Sequence, residues 1–351
     1  VRVLFVTQYF PPETGAAPAR ALHFARALAR AGHEVRVVTG LPNHPAGVVQ
    51  PGWERVRRAR QPMEGFTVER VWLHATPRKT LLTRLWNHVT FAWSAFGPSL
   101  AGPRPDVVLA SVPPLFLGVS AWIASRRHRA PLVLDLRDDW PHAAISLGEM
   151  RPGVATRALE ALSRFLQRRA ARVVAVTPGM KLALEARGLE AGRLQLITNG
   201  ADTELFTPAP PRTGRARYRV IYAGTHGLVH GMDALLDAAE RLRARTDVEF
   251  LLVGDGVAKP ALEARAAASG LSNVTFRPSV PPRELVGLLH GSDLCVATTR
   301  AHAFTGETIP VKLFDYLACG VPLVAAVCGD AARVVQDSGG GVVVPPGDGA
   351  A

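Results

Sequence analysis

Disulfide chemistry has little to work with in this chain. Its 351 residues include three cysteines, Cys295, Cys319 and Cys328, and no Cys-x-x-Cys pair. An odd, scattered set builds no closed disulfide framework, and a reducing cytosol is the simplest compartment for it. There is no Asp-x-Asp and no His/Cys cluster, so no metal is expected. Low-complexity tracts and solenoid-length repeats are missing too. The opening VRVLFVTQYF lacks an initiator Met and also lacks the apolar run and small-residue cleavage site of a signal peptide. It reads as the first strand of a trimmed chain.

Clean membrane-spanning runs are also wanting. Val107–Ser125 carries no charge, but Pro113-Pro114 breaks it into a strand, a turn and a helix. Leu85–Pro103 is uncharged yet holds Asn87, His88, Thr90, Ser94, Gly97 and Pro98, too polar a set for a span. Arg78, Lys79 and Arg84 precede Trp86, Phe91, Trp93 and Phe96. That order fits a helix lying in a lipid interface and, equally, a core helix packed through its aromatics.

What is present reads as an ordinary globular protein, with 48% hydrophobic and 20% charged residues. The charge is unevenly placed. Residues 1–199 hold 27 Lys and Arg against 13 Asp and Glu, a net +14, whereas residues 200–351 hold 14 against 16, a net −2. A general bias towards arginine cannot create that asymmetry. A basic half suits an anionic membrane surface or a lipid-linked phosphate. Nucleic acid is disfavoured, because no basic–aromatic recognition motif is present.

Apolar runs alternate with helical spacing along the whole chain. Val1–Thr7 is a short buried-strand pattern, a Pro/Gly loop follows, and Ala17–Ala31 places Leu22, Ala25, Leu28 and Ala29 on one helical side. Gly32 ends that helix and Glu34–Thr39 is the next strand, giving a βαβ unit and a parallel sheet. Further strands are expected at Thr67–Leu73, Asp106–Ser111, Pro131–Leu136, Arg172–Val176 and Leu194–Ile197. A second series starts at Tyr218, with strands at Arg219–Ala223, Val248–Val253, Val274–Arg277, Leu294–Ala297 and Leu323–Ala326. Its helices are predicted at Met232–Arg245, Pro260–Ser269, Pro282–His290 and Pro310–Ala318. The Pro-rich stretch 200–217 divides the two. The fold class is therefore α/β, with two Rossmann-like domains, 1–199 and 218–351, whose parallel sheets are expected to face each other across a cleft. Ligands of such sheets bind beyond the carboxyl ends of the strands.

The sharpest constellation is Gly306–Ala325, GETIPVKLFDYLACGVPLVA. Pro310 suits a first helical turn, since it lacks an N–H that would be orphaned there. The free amides near Val311 and Lys312, with Leu313 next, would then face an anion, and Lys312 adds a full charge. A diphosphate fits. Asp315 can accept hydrogen bonds from two vicinal ribose hydroxyls, and Glu307 can do the same for a sugar. Either acid taken alone is more often a solvated side chain; the combined pattern is more specific.

This segment resembles the acid-x7-acid donor motif of retaining GT-B glycosyltransferases of family 4, with Asp315 where Glu is usual. The resemblance extends over nearly the whole chain. Leu28–Val35 is similar to the family's first-helix signature, and Leu196–Asp202 with Phe206 and Pro208 to its inter-domain segment. Leu252–Gly256 is similar to its "VGDG" strand end. Gln8–Glu13 and Leu136–Pro141 resemble markers of bacterial O-antigen and capsule enzymes of the fucosamine-transferase type.

The resemblance implies a glycosyltransferase that moves a sugar from a nucleoside-diphosphate sugar to a glycan or polyprenyl-linked acceptor, with retention and without a metal. It further implies a cytoplasmic enzyme peripheral at the inner face of the plasma membrane. Glu307, Lys312 and His230 would carry catalysis. Asp315, Gly15, Ala16, Thr225, Pro310, Val311, Leu313 and Arg277 would bind the donor, Arg277 in the loop that meets the base. Thr225 and His230 stand where relatives place Arg and Lys, and His is only partly charged near neutrality. Arg137 or Asp138 replaces a His found in many relatives; Arg137 also reads as an ion-pair partner of Asp135, Asp138 or Asp139. Arg20 could face an acceptor phosphate, or be a solvated helix residue. Terminal helices usual after Asp348 are not in the sequence, so a truncated C-terminal domain is expected. A nucleotide-sugar epimerase and a non-catalytic nucleotide-sugar-binding protein fit the same pattern.

Overall fold

The computed structural model describes residues 1–44, 46–78, 80–146, 148, 150–210, 217–300 and 306–350. It divides into two compact units, Val1–Thr198 and Asn199–Ala351. Lys79 and 211–216 of the linker expected at 200–217 lie outside the described residues.

The first unit opens with β1 (Arg2–Val6), α1 (Ala16–Arg30), β2 (Glu34–Gly40), β3 (Arg58–Met63), β4 (Phe66–Val71) and α2 (Leu81–Leu100). It continues through β5 (Val107–Val112), α3 (Leu115–His128), β6 (Leu132–Leu136), α4 (His142–Ser146), α5 (Val154–Arg169), β7 (Arg172–Ala175), α6 (Pro178–Ala186) and β8 (Leu194–Leu196). The strand order is β3-β4-β2-β1-β5-β6-β7-β8. Seven strands run parallel; β3 pairs antiparallel with β4 and makes one edge. The sequence pattern does not predict that edge, because RARQPM has no apolar run and contains a proline, which within sheets is confined to edge strands, first positions and bulges. Leu4, Phe5 and Val6 are buried on both faces of β1, as a central parallel strand requires.

Polar groups fix the loops at the carboxyl ends of these strands. Buried Glu13 accepts hydrogen bonds from the amides of Phe10, Asn43 and His44, at 3.1, 2.9 and 2.8 Å. It thereby pins the β1–α1 loop to the loop after β2, which gives the Gln8–Glu13 marker a physical purpose. Gly15 starts α1 with φ 122°, a conformation that side-chain-bearing residues rarely adopt.

The second unit contains β9 (Tyr218–Ala223), α7 (Asp233–Arg241), β10 (Val248–Val253), α8 (Lys259–Ala268), β11 (Val274–Arg277), α9 (Pro282–His290) and β12 (Leu294–Thr298). It ends with α10 (Lys312–Ala318), β13 (Leu323–Ala326), α11 (Gly329–Ser338) and β14 (Gly341–Val344). All six strands are parallel, in the order β11-β10-β9-β12-β13-β14. Two helices are shorter than expected. α7 stops at Arg241 instead of Arg245, and α10 starts at Lys312, two residues after Pro310. Among the described residues, no helix is long and apolar enough to cross a membrane.

Candidate active site

The second unit gathers most of the motif residues at the carboxyl ends of β9 and β12 and the start of α10. Tyr316 on α10 holds the two together. Its buried hydroxyl donates to the Ala223 carbonyl at 3.0 Å and accepts from the Ala223 amide at 2.7 Å. Just beyond Ala223, the chain passes Lys312 so closely that a Cβ on Gly224 would sit 2.7 Å from the lysine Nζ. The ammonium lies 3.7 Å from the centroid of the Tyr222 ring, a cation–π contact, and has no hydrogen-bond partner among the described residues. Burial pulls its pKa down to about 7.

An unpaired buried ammonium is costly unless an anion arrives. The surrounding groups add donors without adding charge. The amides of Val311 and Lys312 meet no acceptor among the described residues, while that of Leu313 donates to Pro310 at 3.0 Å. Leu313 itself is fully buried in the core. Its amide is thus engaged within the turn, and the amides without an acceptor among the described residues lie one step earlier. His230 sits in a short turn, half-buried, with Nδ1 unpartnered. Burial, then the charges of Lys312 and His226, lower its pKa to about 4. His230 is thus neutral at physiological pH, and Lys312, with a pKa of about 7, is the neighbouring group that an arriving anion would hold protonated. Thr225 is exposed in the same loop, its carbonyl accepting from Tyr222.

Asp315 lies one turn into α10, half-buried. Burial and the neighbouring Asp202 raise its pKa to about 7. Asp202 comes from the segment similar to the family's inter-domain signature, and sequence spacing gave no sign that it would approach Asp315. Glu307 is half-buried in a short turn before Pro310. Its loop is braced from below: a Cβ on Gly329, at the start of α11, would fall 2.1 Å from the Gly306 carbonyl oxygen. The "VGDG" glycines serve a similar purpose. A Cβ on Gly254 would lie 1.9 Å from the Gly224 oxygen, and one on Gly256 2.3 Å from the His226 oxygen. These glycines let two strand-end loops touch. Arg277 is exposed, its carbonyl accepting from Lys259 at 3.0 Å.

The first unit brings together a different set. Arg20 does not face solvent, and its guanidinium is not free for a phosphate. It donates to Asp135 at 2.7 and 3.0 Å and to the Ile197 and Thr198 carbonyls at 2.8 and 3.0 Å. The solvated alternative for Arg20 gives way to an internal ion pair with Asp135. Asp135 in turn accepts from Ser111 at 2.8 Å. Arg137 is half-buried, donates to the Pro113 carbonyl, and leaves Nε without a partner. It forms no direct pair with Asp135, Asp138 or Asp139 among the described residues; Asp139 is taken by Arg187. Tyr9 lies under Arg137, 6.0 Å to the ring centroid. His88 on α2 is held to a pKa of about 4 by burial, then by Arg84 and Arg137. The packed surroundings of Asp138 raise its pKa, an effect that Arg137 opposes and Asp139 reinforces. Gly15 and Ala16 are exposed at the start of α1. No group of three His, Cys, Asp or Glu able to hold a metal occurs among the described residues.

Two doubly wound α/β units, one with a buried lysine at its strand ends, define a protein of the GT-B class. Among solved structures, Anabaena Alr3699/HepE in complex with UDP and glucose matches with a TM-score of 0.70 at 21% identity, covering 99% of this chain and 86% of the other. Residues 15–200 match the family described as Glycosyl transferase 4-like domain, and residues 217–351 match Glycosyl transferases group 1. The chain belongs to the glycosyl transferase 4-like family and is a glycosyltransferase. Escherichia coli WcaI, assigned as a glycosyl transferase of colanic acid biosynthesis, is 28% identical over 309 residues, 84% of this chain and 75% of that protein. A GDP-mannose-dependent alpha-mannosyltransferase of Mycobacterium tuberculosis is 28% identical over 352 residues, 99% of this chain and 85% of that protein.

Proposed function

We propose that this glycosyltransferase takes its sugar from a nucleoside-diphosphate donor and transfers it, with retention, to a glycan or polyprenyl-linked acceptor of a surface polysaccharide. The observation that carries the reading is Lys312: a buried amine that, like the amides of Val311 and Lys312, has no hydrogen-bond partner among the described residues, with a half-buried carboxylate one turn away. Lys312 and the amides of Val311 and Lys312 bind the diphosphate and stabilise it as charge grows on the leaving group. No metal is needed in this scheme. Asp315 accepts from the ribose hydroxyls, and Glu307 orients the sugar. Thr225 and His230 contribute neutral donors, and Arg277 lies at the base. A phosphate oxygen of the departing group takes the acceptor proton. Arg137 and Asp138 serve the acceptor side on the basic first unit, which works at an anionic cytoplasmic membrane surface. The mannosyltransferase and HepE names favour a nucleotide donor, and the WcaI name favours polysaccharide synthesis.

A thermal-shift screen of UDP-, GDP-, dTDP- and ADP-sugars tests this. One of them should raise the unfolding temperature of the second unit, since ligand at a hundredfold its Kd stabilises by about 2.7 kcal/mol. Asp315→Ala should abolish that shift. A full shift in the variant would sink the ribose assignment.

A further inference from the structure

We infer that the outer face of α2 is a docking surface for an anionic lipid bilayer, inserted in the plane of the headgroups. The helix has two distinct sides. Phe91 and Ala95 are buried in the core of the first unit, and Asn87 is tied to Gln8. On the other side Leu82, Trp86, Val89 and Trp93 follow one another at helical spacing and are 77%, 56%, 36% and 81% exposed. Single exposed apolar residues are ordinary; a row of four with two tryptophans along one helix is not. Tryptophan favours the boundary between headgroup and acyl chain, where its ring is dry and its N–H stays wet.

Charge selects the occupant. α2 contains no acidic residue; its one charge, Arg84, lies on the side away from the tryptophan row, and Arg78 stands just ahead of the helix. Residues 1–199 carry a net +14. A second copy would set this basic surface against itself, whereas anionic headgroups complement it. The helix is too polar to span and amphipathic enough to lie flat. Arg84 and His88 lie on the side of α2 near Arg137, so a docked α2 would hold the residues around Arg137 near the lipid surface. The choice of occupant rests on the membrane reading given above.

The test is co-sedimentation of the whole chain with phosphatidylglycerol/phosphatidylcholine vesicles and with phosphatidylcholine alone, using the parent and the Trp86→Ser/Trp93→Ser double variant. The parent should bind the anionic vesicles and lose binding as salt rises. The variant should bind on the order of a hundredfold more weakly, with an unchanged unfolding temperature. Equal binding by the variant, equal binding to neutral vesicles, or a parent dimer that the variant abolishes would each overturn the inference. The nucleotide shift, read on the same protein, is independent: its absence would count against the donor pocket and leave the vesicle result standing.

Discussion

Replacing Lys312 by alanine should lower kcat for sugar transfer on the order of 10²–10³-fold, the usual cost of removing one preorganised group that stabilises developing charge. The size of the effect follows from the neighbours. His226 and His230 are both held near a pKa of about 4, so neither supplies charge near neutrality. Arginine should not rescue the variant. Gly224 passes the lysine so closely that the larger, planar guanidinium has no room above the Tyr222 ring. The protein should unfold no earlier than its parent. A lysine whose pKa falls from 10.5 to about 7 on folding binds fewer protons in the folded state between those values. Stability therefore rises with pH across that window, and the charge is a liability to the fold at neutral pH. Transfer assays paired with thermal unfolding separate the two effects. Retained kcat would mean that leaving-group charge is neutralised elsewhere.

Arg20→Ala should destabilise the first unit by about 3–5 kcal/mol. The Arg20–Asp135 pair has side-chain exposures of 6% and 0%, so removing the guanidinium strands a carboxylate with Ser111 as its remaining hydrogen-bond partner among the described residues. The Ile197 and Thr198 carbonyls lose a donor in the same step. Arg20→Met combined with Asp135→Leu should recover much of the loss, because removing both charges lifts the desolvation penalty. Urea unfolding, followed by a probe specific to the first unit, reads this out. A loss under about 0.5 kcal/mol would place Arg20 among ordinary surface residues.

Those two residues mark the boundary of what the sequence could reveal. The βα alternation was legible because buried parallel strands are short apolar runs flanked by turn residues, as in Val3–Val6 and Leu251–Val253. Elements at the sheet margins were not: Arg58–Met63 has no apolar run, and Gly341–Val344 begins on the last of three consecutive glycines. The Pro310–Asp315 part of the Lys312 site was legible because it is contiguous in the chain; its approach to Tyr222 and Gly224 was not. Arg20 was not, because its partner is 115 residues away and a lone arginine on a helix normally reads as solvated. The approach of Asp202 to Asp315 and the Tyr316 hold on Ala223 are likewise products of packing. On α2 the sequence showed the aromatics but not their sides; burial separates Phe91 from Trp86 and Trp93.

Proton linkage gives the most direct test of the central claim, that Lys312 receives the donor's diphosphate. At pH 8 the free lysine, with a pKa of about 7, is mostly neutral. An incoming diphosphate should draw a proton onto it. Calorimetric titration with the preferred nucleoside diphosphate, in buffers of different ionisation enthalpy, should show uptake of nearly one proton per ligand, and none in Lys312→Gln. Tight binding with no proton uptake, or with the same uptake in the variant, would contradict the account.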